Sequence, residues 1–145
     1  MTDQKKEKNR SIVYSFEGRW HRPIASGDVK VFFRKRRPVS TPERVYFYVG
    51  VPVKKIIGFA EIERIEQVKL EAATDVKKEG AITEEELVDY IGKNGTVSAI
   101  WVSAPTLLPE PFDLSELKRH WGFNPPQSFS NVSTEFERFL LGAMK

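Results

Sequence analysis

Four consecutive cations, Arg34, Lys35, Arg36 and Arg37, close a stretch that begins Ser26-Gly27-Asp28-Val29-Lys30-Val31-Phe32-Phe33. The β-branched and aromatic residues after Asp28 predict an extended strand over 29–34. Alternation puts Lys30, Phe32 and Arg34 on one face, with Val29, Val31 and Phe33 on the other. One face suits a core, while the other sets cations around an aromatic ring. Cations beside rings hold single-stranded nucleic acid, through phosphate charge and base stacking. A row of strand cations is often only solvated charge. Phe32 within the row and Trp20 upstream are what favour a ligand here.

Other reactive residue types are present with weaker patterns. Glu61 and Glu63 share a strand face, where they could transfer protons or simply form the wet side of an antiparallel strand. Glu84, Glu85 and Glu86 fall in the first turn of a helix, where the macrodipole favours anions. His21 sits beside Arg22, and His120 lies near a helix end. With two histidines and no cysteine, disulfides and thiolate sites are excluded, and zinc clusters or a serine–histidine triad fit poorly. Neither a Gly-x-Ser-x-Gly elbow nor a phosphate-cradling glycine loop occurs. The pattern calls for no metal and no cofactor.

The elements that must position these residues follow from periodicity and punctuation. Residues 1–9 read as a disordered basic tail. A first strand spans 11–16, and a short helix over 17–26 stops at Gly27, a residue suited to the left-handed position. Pro23 within that helix requires it to be very short or to start late. A buried strand covers 44–51, and a long alternating strand covers 54–69. That alternation sets Ile57, Phe59, Glu61 and Glu63 against Ile56, Gly58, Ala60, Ile62 and Arg64, with Gly58 marking a bulge or corner. Residues 71–80 read as irregular with one helical turn. Thr83 and Glu86 form a capping box, with Leu87, Tyr90 and Ile91 as the buried stripe. A strand spans 96–102, and 106–113 is loop or edge strand. Asp113 with Glu116, and Thr134 with Glu137, read as further capping pairs, opening helices that carry Leu117 and Trp121, then Phe136, Phe139 and Leu140. The sum is a single α+β domain over 10–145, a small curled sheet with helices outside.

Bulk properties agree with one domain: 145 residues, 40% hydrophobic and 30% charged. No segment has the length of a membrane span or the apolar core of a signal peptide, so the expected location is cytoplasmic, with no membrane partner. The net charge of +3 is unevenly spread. Residues 1–37 hold eleven Lys and Arg against four Asp and Glu, leaving the remainder net acidic. Such asymmetry favours a polyanionic partner on one side of the molecule.

The order strand, short helix ending Ser-Gly, basic strand ending Phe-Arg-Lys-Arg, Val/Tyr/Phe strand and long strand KKIIGFAEIERI resembles the ASCH domain of the PUA-like superfamily. Trp20, Ile24, Ser26, Gly27, Phe33, Arg34, Lys35 and Arg36 fit its characteristic segment, and Pro125-Pro126-Gln127-Ser128-Phe129 is similar to a stretch near the C-terminus of members. The resemblance covers 10–132. It implies a PUA-like mixed β-barrel of five to six strands with three to four outer helices, and a cleft beside 27–34. Family roles include RNA binding, RNA cleavage and deacetylation of acetylated cytidine. Deacetylating members carry Gly-x-Lys-x-x-(Glu or Thr)-x-Arg. This chain keeps Gly27 and Arg34 but has Val29 and Phe32 at the reactive positions, neither with a proton to exchange. Glu79 is the one residue left as a match to a third catalytic position.

The resulting expectation is a non-catalytic domain that binds single-stranded or modified RNA, with Glu79 the one residue named as a match to a catalytic position. Lys30, Arg34, Lys35, Arg36 and Arg37 would hold phosphates, Phe32 or Trp20 would stack, and Gln127 and Ser128 would read a base edge. The alternatives are a hydrolase of the ribonuclease or acetylcytidine amidohydrolase type, and a regulatory domain sensing a small anionic nucleotide. Open versus plugged by Phe32 is the decisive question for the cleft.

Overall fold

Every position of the run Arg44–Val49 after Arg44 is β-branched or aromatic, and it forms a strand, β3, buried on both faces. Ser11–Phe16 forms β1, which lies parallel to β3 with Ile12 opposite Val45 and Phe16 opposite Val49. The computed structural model describes residues 11–92 and 95–142; the basic segment 1–9 lies outside them. The long alternating stretch is β4, Lys55–Lys69. Its first half pairs antiparallel with β3 and its second half with β5, Thr96–Val102, so one strand carries the sheet around its curl. The basic strand is β2, Val31–Arg34, antiparallel to β5. Thr106–Asp113 forms β6 against β4, and Phe129–Asn131 forms β7 against β1.

The sheet order is β2-β5-β4-β3-β1-β7, with β6 also on β4. The architecture is α+β, with seven strands among the described residues where five or six are expected. The curl stays open, because β2 and β7 stand at the two ends of the order. Among the described residues five α-helices decorate it: α1 His21–Ser26, α2 Leu70–Asp75, α3 Glu84–Ile91, α4 Leu114–Trp121 and α5 Thr134–Gly142. Short 3-10 turns cover Gly18–Trp20 and Lys77–Gly80.

Three apolar clusters hold these layers. Tyr14, Phe16, Phe32, Phe47 and Ile100 fill the inside of the curl. Tyr46, Ile56, Phe59, Leu117, Phe136 and Leu140 join the outer sheet face to α4 and α5. Val31, Phe33, Leu87, Ile91 and Val97 pack β2 and β5 under α2 and α3. Both faces of β2 are therefore buried up to Phe33, and the cationic face expected there is confined to Arg34. Lys30 lies before the strand begins.

The strict alternation predicted for β4 breaks at Gly58. Ile57 and Ala60 face the inner cluster while Ile56 and Phe59 face the outer one. Against β3, Phe47 pairs with Gly58 and Tyr48 with Ile56, so Ile57 is the extra residue of a bulge that turns the period over. A Cβ at Gly58 would lie 2.5 Å from the Thr106 carbonyl oxygen, so the close approach of β6 requires glycine there.

Helix ends follow the sequence in part. Gly27 closes α1 at φ +83°, and Pro23 falls in the first turn, where its missing N–H leaves no helical bond unmade. Thr83 and Glu86 form the reciprocal capping box of α3. Asp113 stands at the N-cap of α4 without a side-chain cap bond, its carboxylate taken by Ser115 Oγ at 2.7 Å and Lys55 Nζ at 3.1 Å. Ser133, not Thr134, caps α5 by accepting from the Phe136 N–H. Glu137 turns inward instead, accepting from Ser11 Oγ at 2.7 Å, Tyr46 Oη at 2.9 Å and Arg44 Nη1 at 3.3 Å. Among the described residues no helix is long and apolar enough to cross a membrane.

Candidate functional site

The end of β1, the Gly18–Trp20 turn, the end of β2 and one face of α3 surround a cleft of about 870 Å³. Phe16 and Phe32 contribute its floor. Phe32 is only 5% exposed and packs edge-on to Phe16 and Tyr14, with ring centres 5.0 and 5.2 Å apart. It supports the cleft without plugging it.

Arg34 stands over that floor because β2 alternation places it on the same face as Phe32. Its guanidinium carbon lies 4.5 Å from the Phe16 ring centre, 5.3 Å from Phe32 and 5.5 Å from Tyr14. Nη1 donates to the Phe33 carbonyl at 2.9 Å and Nη2 to the Ser15 carbonyl at 3.1 Å. Among the described residues no carboxylate forms an ion pair with it. Burial pulls the Arg34 pKa down from its ordinary value, and the fields of Tyr90, Tyr14 and Glu17 oppose that shift. An arginine's pKa starts so high that the group stays cationic. The result is a positioned charge backed by rings and neutral carbonyls, with no ion pair among the described residues to satisfy it.

The segment after β2 wraps the same opening. Tyr14 Oη donates to the Arg36 carbonyl at 2.9 Å, and the Lys35 N–H donates to Tyr90 Oη at 2.9 Å. Lys35 Nζ lies 5.1 Å from the Tyr90 ring centre. These two tyrosines fix where the cations begin, so Lys35 and Arg36 line the cleft. Across from them the Ser128 carbonyl accepts from the Ser15 N–H and the Pro126 carbonyl accepts from Ser15 Oγ, which ties Gln127 and Ser128 to the rim.

Of the sequence-predicted residues, Trp20, Phe32, Arg34, Lys35, Arg36, Gln127 and Ser128 thus come together around one opening. Lys30 and Arg37 do not line it. The Lys30 backbone is spent on structure, its N–H bonded to the Glu79 carbonyl at 2.6 Å and its carbonyl to the Val102 N–H at 3.0 Å. Glu79 contributes that carbonyl, while Gly80 and Ile82 rather than Glu79 line the cleft. Of the paired strand carboxylates, Glu61 is engaged by Arg44 at 3.0 Å, and neither Glu61 nor Glu63 lines this opening.

Sequence reasoning missed Arg19, Glu17, Glu86, Asp89 and Tyr90, all of which line the cleft. Tyr90 was legible as a member of the α3 apolar stripe, and its hydroxyl was the missed signal, since a tyrosine in such a stripe usually brings its tip to a polar partner. Arg19 and Glu86 gave no local signal, because their meeting joins segments far apart in sequence. The three carboxylates make the lining mixed in charge rather than purely basic. Among the described residues no group of three or more His, Asp or Glu side chains is arranged to hold a metal ion.

Comparison with known proteins bears on this arrangement. No family model matches the chain. A Zymomonas mobilis protein named an ASCH domain-containing ribonuclease is 32% identical over 130 residues, covering 87% of this chain and 86% of its own length. The chain belongs to the ASCH domain family. The crystal structure of ASCH from Zymomonas mobilis superposes on it with a TM-score of 0.85 at 28% identity, covering 93% of this chain and 96% of that one. The N-terminal domain of Staphylothermus marinus McrB, at 7% identity and a TM-score of 0.59, shares the fold alone. The curled α+β sheet is thus the PUA-like fold of ASCH domains, here with its curl open. Val29 and Phe32, the positions that the sequence resemblance matches to the reactive groups of deacetylating members, are both 5% exposed and belong to the inner core cluster. Neither brings a proton-exchanging atom to the cleft.

Proposed function

We propose that this ASCH domain binds single-stranded RNA in the cleft above Phe16 and Phe32. The observation that carries this reading is Arg34, a cation with no ion-pair partner among the described residues, set over three rings at the floor of an open cleft of about 870 Å³. A phosphate would complete the guanidinium's hydrogen bonding, and Lys35 and Arg36 would take neighbouring phosphates. Trp20 and Tyr90 provide ring faces for bases, and Gln127 and Ser128 sit where a base edge would pass. Titration with a short single-stranded RNA at several salt concentrations tests it. Affinity falling ~10-fold or more between low and physiological salt supports several phosphate contacts. Absent or salt-independent binding overturns it.

A second reading, cleavage of the RNA so held, is favoured by the ribonuclease name of the 32% identical relative. Attack by a ribose 2′-hydroxyl needs a proton acceptor and a cation for the developing phosphorane charge. Glu17 and Asp89 are carboxylates in the cleft, and Arg34 is the cation. Incubation of RNA with wild type and Arg34→Ala distinguishes the readings. Products lost with the variant support cleavage; intact RNA with full binding leaves a binding domain.

A further inference from the structure

Among the described residues, Arg19 is the one cation lining the cleft that already has anionic partners. It sits in the Gly18–Trp20 turn, and its Nη2 lies 2.8 Å from Glu86 Oε2 on α3. Its Nε lies 3.6 Å from Glu17 Oε1, and its guanidinium carbon 4.3 Å from the Trp20 ring centre. The ion pair therefore bridges two segments that both line the opening. We infer that Glu86 stands in for a phosphate, holding Arg19 until an incoming polyanion displaces it, so that Arg19 is a further phosphate-binding residue of the cleft. This rests on the RNA reading of the same cleft.

Three observations carry the inference. Glu86 cannot follow Arg19, because its other oxygen, Oε1, accepts from the Thr83 N–H at 3.0 Å and from Thr83 Oγ1 at 3.2 Å. The carboxylate belongs to the capping box of α3, so release of the pair has to come from the arginine. The pair is also accessible, with side chains 50% and 37% exposed, and ion pairs so placed contribute little net stability. A phosphate competes for such an arginine on favourable terms. The Trp20 ring keeps the guanidinium at the rim when the pair opens, since a cation retains its attraction to the ring. Arg34, by contrast, is held by two carbonyls and needs no displacement.

Glu86→Gln is the informative variant. Glutamine at this position also completes a capping box, so α3 keeps its start while the charge facing Arg19 is removed. The probes are a single-stranded oligouridylate and inorganic tripolyphosphate, each titrated at several salt concentrations. The expected result is a gain in affinity of roughly 3- to 10-fold for Glu86→Gln and a salt slope steeper by about one. The gain must vanish when Arg19→Ala is added, as coupled residues require. Wild-type binding unchanged by Glu86→Gln overturns the inference and leaves the RNA reading intact. A gain that persists without Arg19 also overturns it, because general charge removal then accounts for the effect. If neither wild type nor variant binds either probe, both readings fall together.

Discussion

Arg34 stacks its guanidinium over Phe16 at 4.5 Å while donating to the carbonyl of Ser15, the residue just before that ring in β1. The cation is thus fastened to the strand it lies against. A carboxylate partner would have neutralised it; carbonyls and ring faces orient it and leave its charge for a ligand. The cost is partial desolvation of the guanidinium, more tolerable than for an ammonium because the ion is weakly hydrated.

Replacing Arg34 should therefore remove more than one unit of charge. Arg34→Ala is expected to weaken single-stranded RNA binding at least ~10-fold and to reduce the salt slope by about one. Arg34→Lys restores the charge without the planar fork or the ring stacking, and should remain well below wild type. Arg37→Ala, outside the cleft, should change affinity by no more than about twofold. Fluorescence anisotropy of labelled RNA measures all three; equal losses at Arg34 and Arg37 would point to diffuse charge instead.

Tyr90 offers a ring face and a hydroxyl, and the two can be separated. Tyr90→Phe keeps the face and loses the acceptor for the Lys35 N–H, so a small change in RNA affinity is expected. Tyr90→Ala removes the face as well and should cost about 1–3 kcal/mol if a base stacks there. Similar affinities for the two variants would show that no base uses Tyr90.

Glu137 joins α5 to β1 and β3 through Ser11, Tyr46 and Arg44. Glu137→Ala leaves three donors short of an acceptor in a half-buried setting, and should destabilise the fold by about 2 kcal/mol or more. Thermal unfolding should register this as a fall of several degrees, roughly 5–8 °C for a domain of this size. RNA binding below the new Tm should be unchanged, because Glu137 lies away from the Arg34 cleft.

Stability should fall on the alkaline side. Burial pushes the Tyr14 phenol upward against the opposing field of Arg34, and burial raises Tyr46 as well. The folded state then holds protons that the unfolded state releases above its phenol pKa of about 10. The stabilisation is complete below about pH 10 and is lost progressively as pH rises, by ~1.4 kcal/mol per pH unit for each such tyrosine. Denaturant unfolding between pH 9 and 12 should show this slope, and Tyr46→Phe should flatten it by one tyrosine's share. A slope unaltered by Tyr46→Phe would place the titration elsewhere.

The sequence by itself determined what depends on neighbours in the chain. Strand and helix positions followed from periodicity, as in β3, whose residues suit burial on both faces. The stop at Gly27 and the capping box of Thr83 and Glu86 involve residues no more than a few positions apart, and both formed as read. The segment 26–37 was legible as the centre of the site for the same reason, since alternation alone places Phe32 and Arg34 together. Lys30 and Arg37 are exposed but lie outside β2 and do not line the cleft, because periodicity does not reveal where the strand ends or which way the flanking chain turns.

Only the tertiary structure decided how far that face is exposed and what completes it. The bulge beside Gly58 inverts the alternation of β4, and the Thr106 carbonyl packed against Gly58 comes from 48 residues later in the chain. Glu137 reads locally as a capping residue, yet three donors from β1 and β3 draw it inward. Arg19 and Glu86 meet across 67 positions, and Tyr90 reaches Lys35 across 55. Contacts of that kind leave no periodic trace, since each depends on where whole layers pack. The sequence marked the cation that could hold a ligand; packing determined that Arg34 would face an open cleft while Arg19 was held by Glu86.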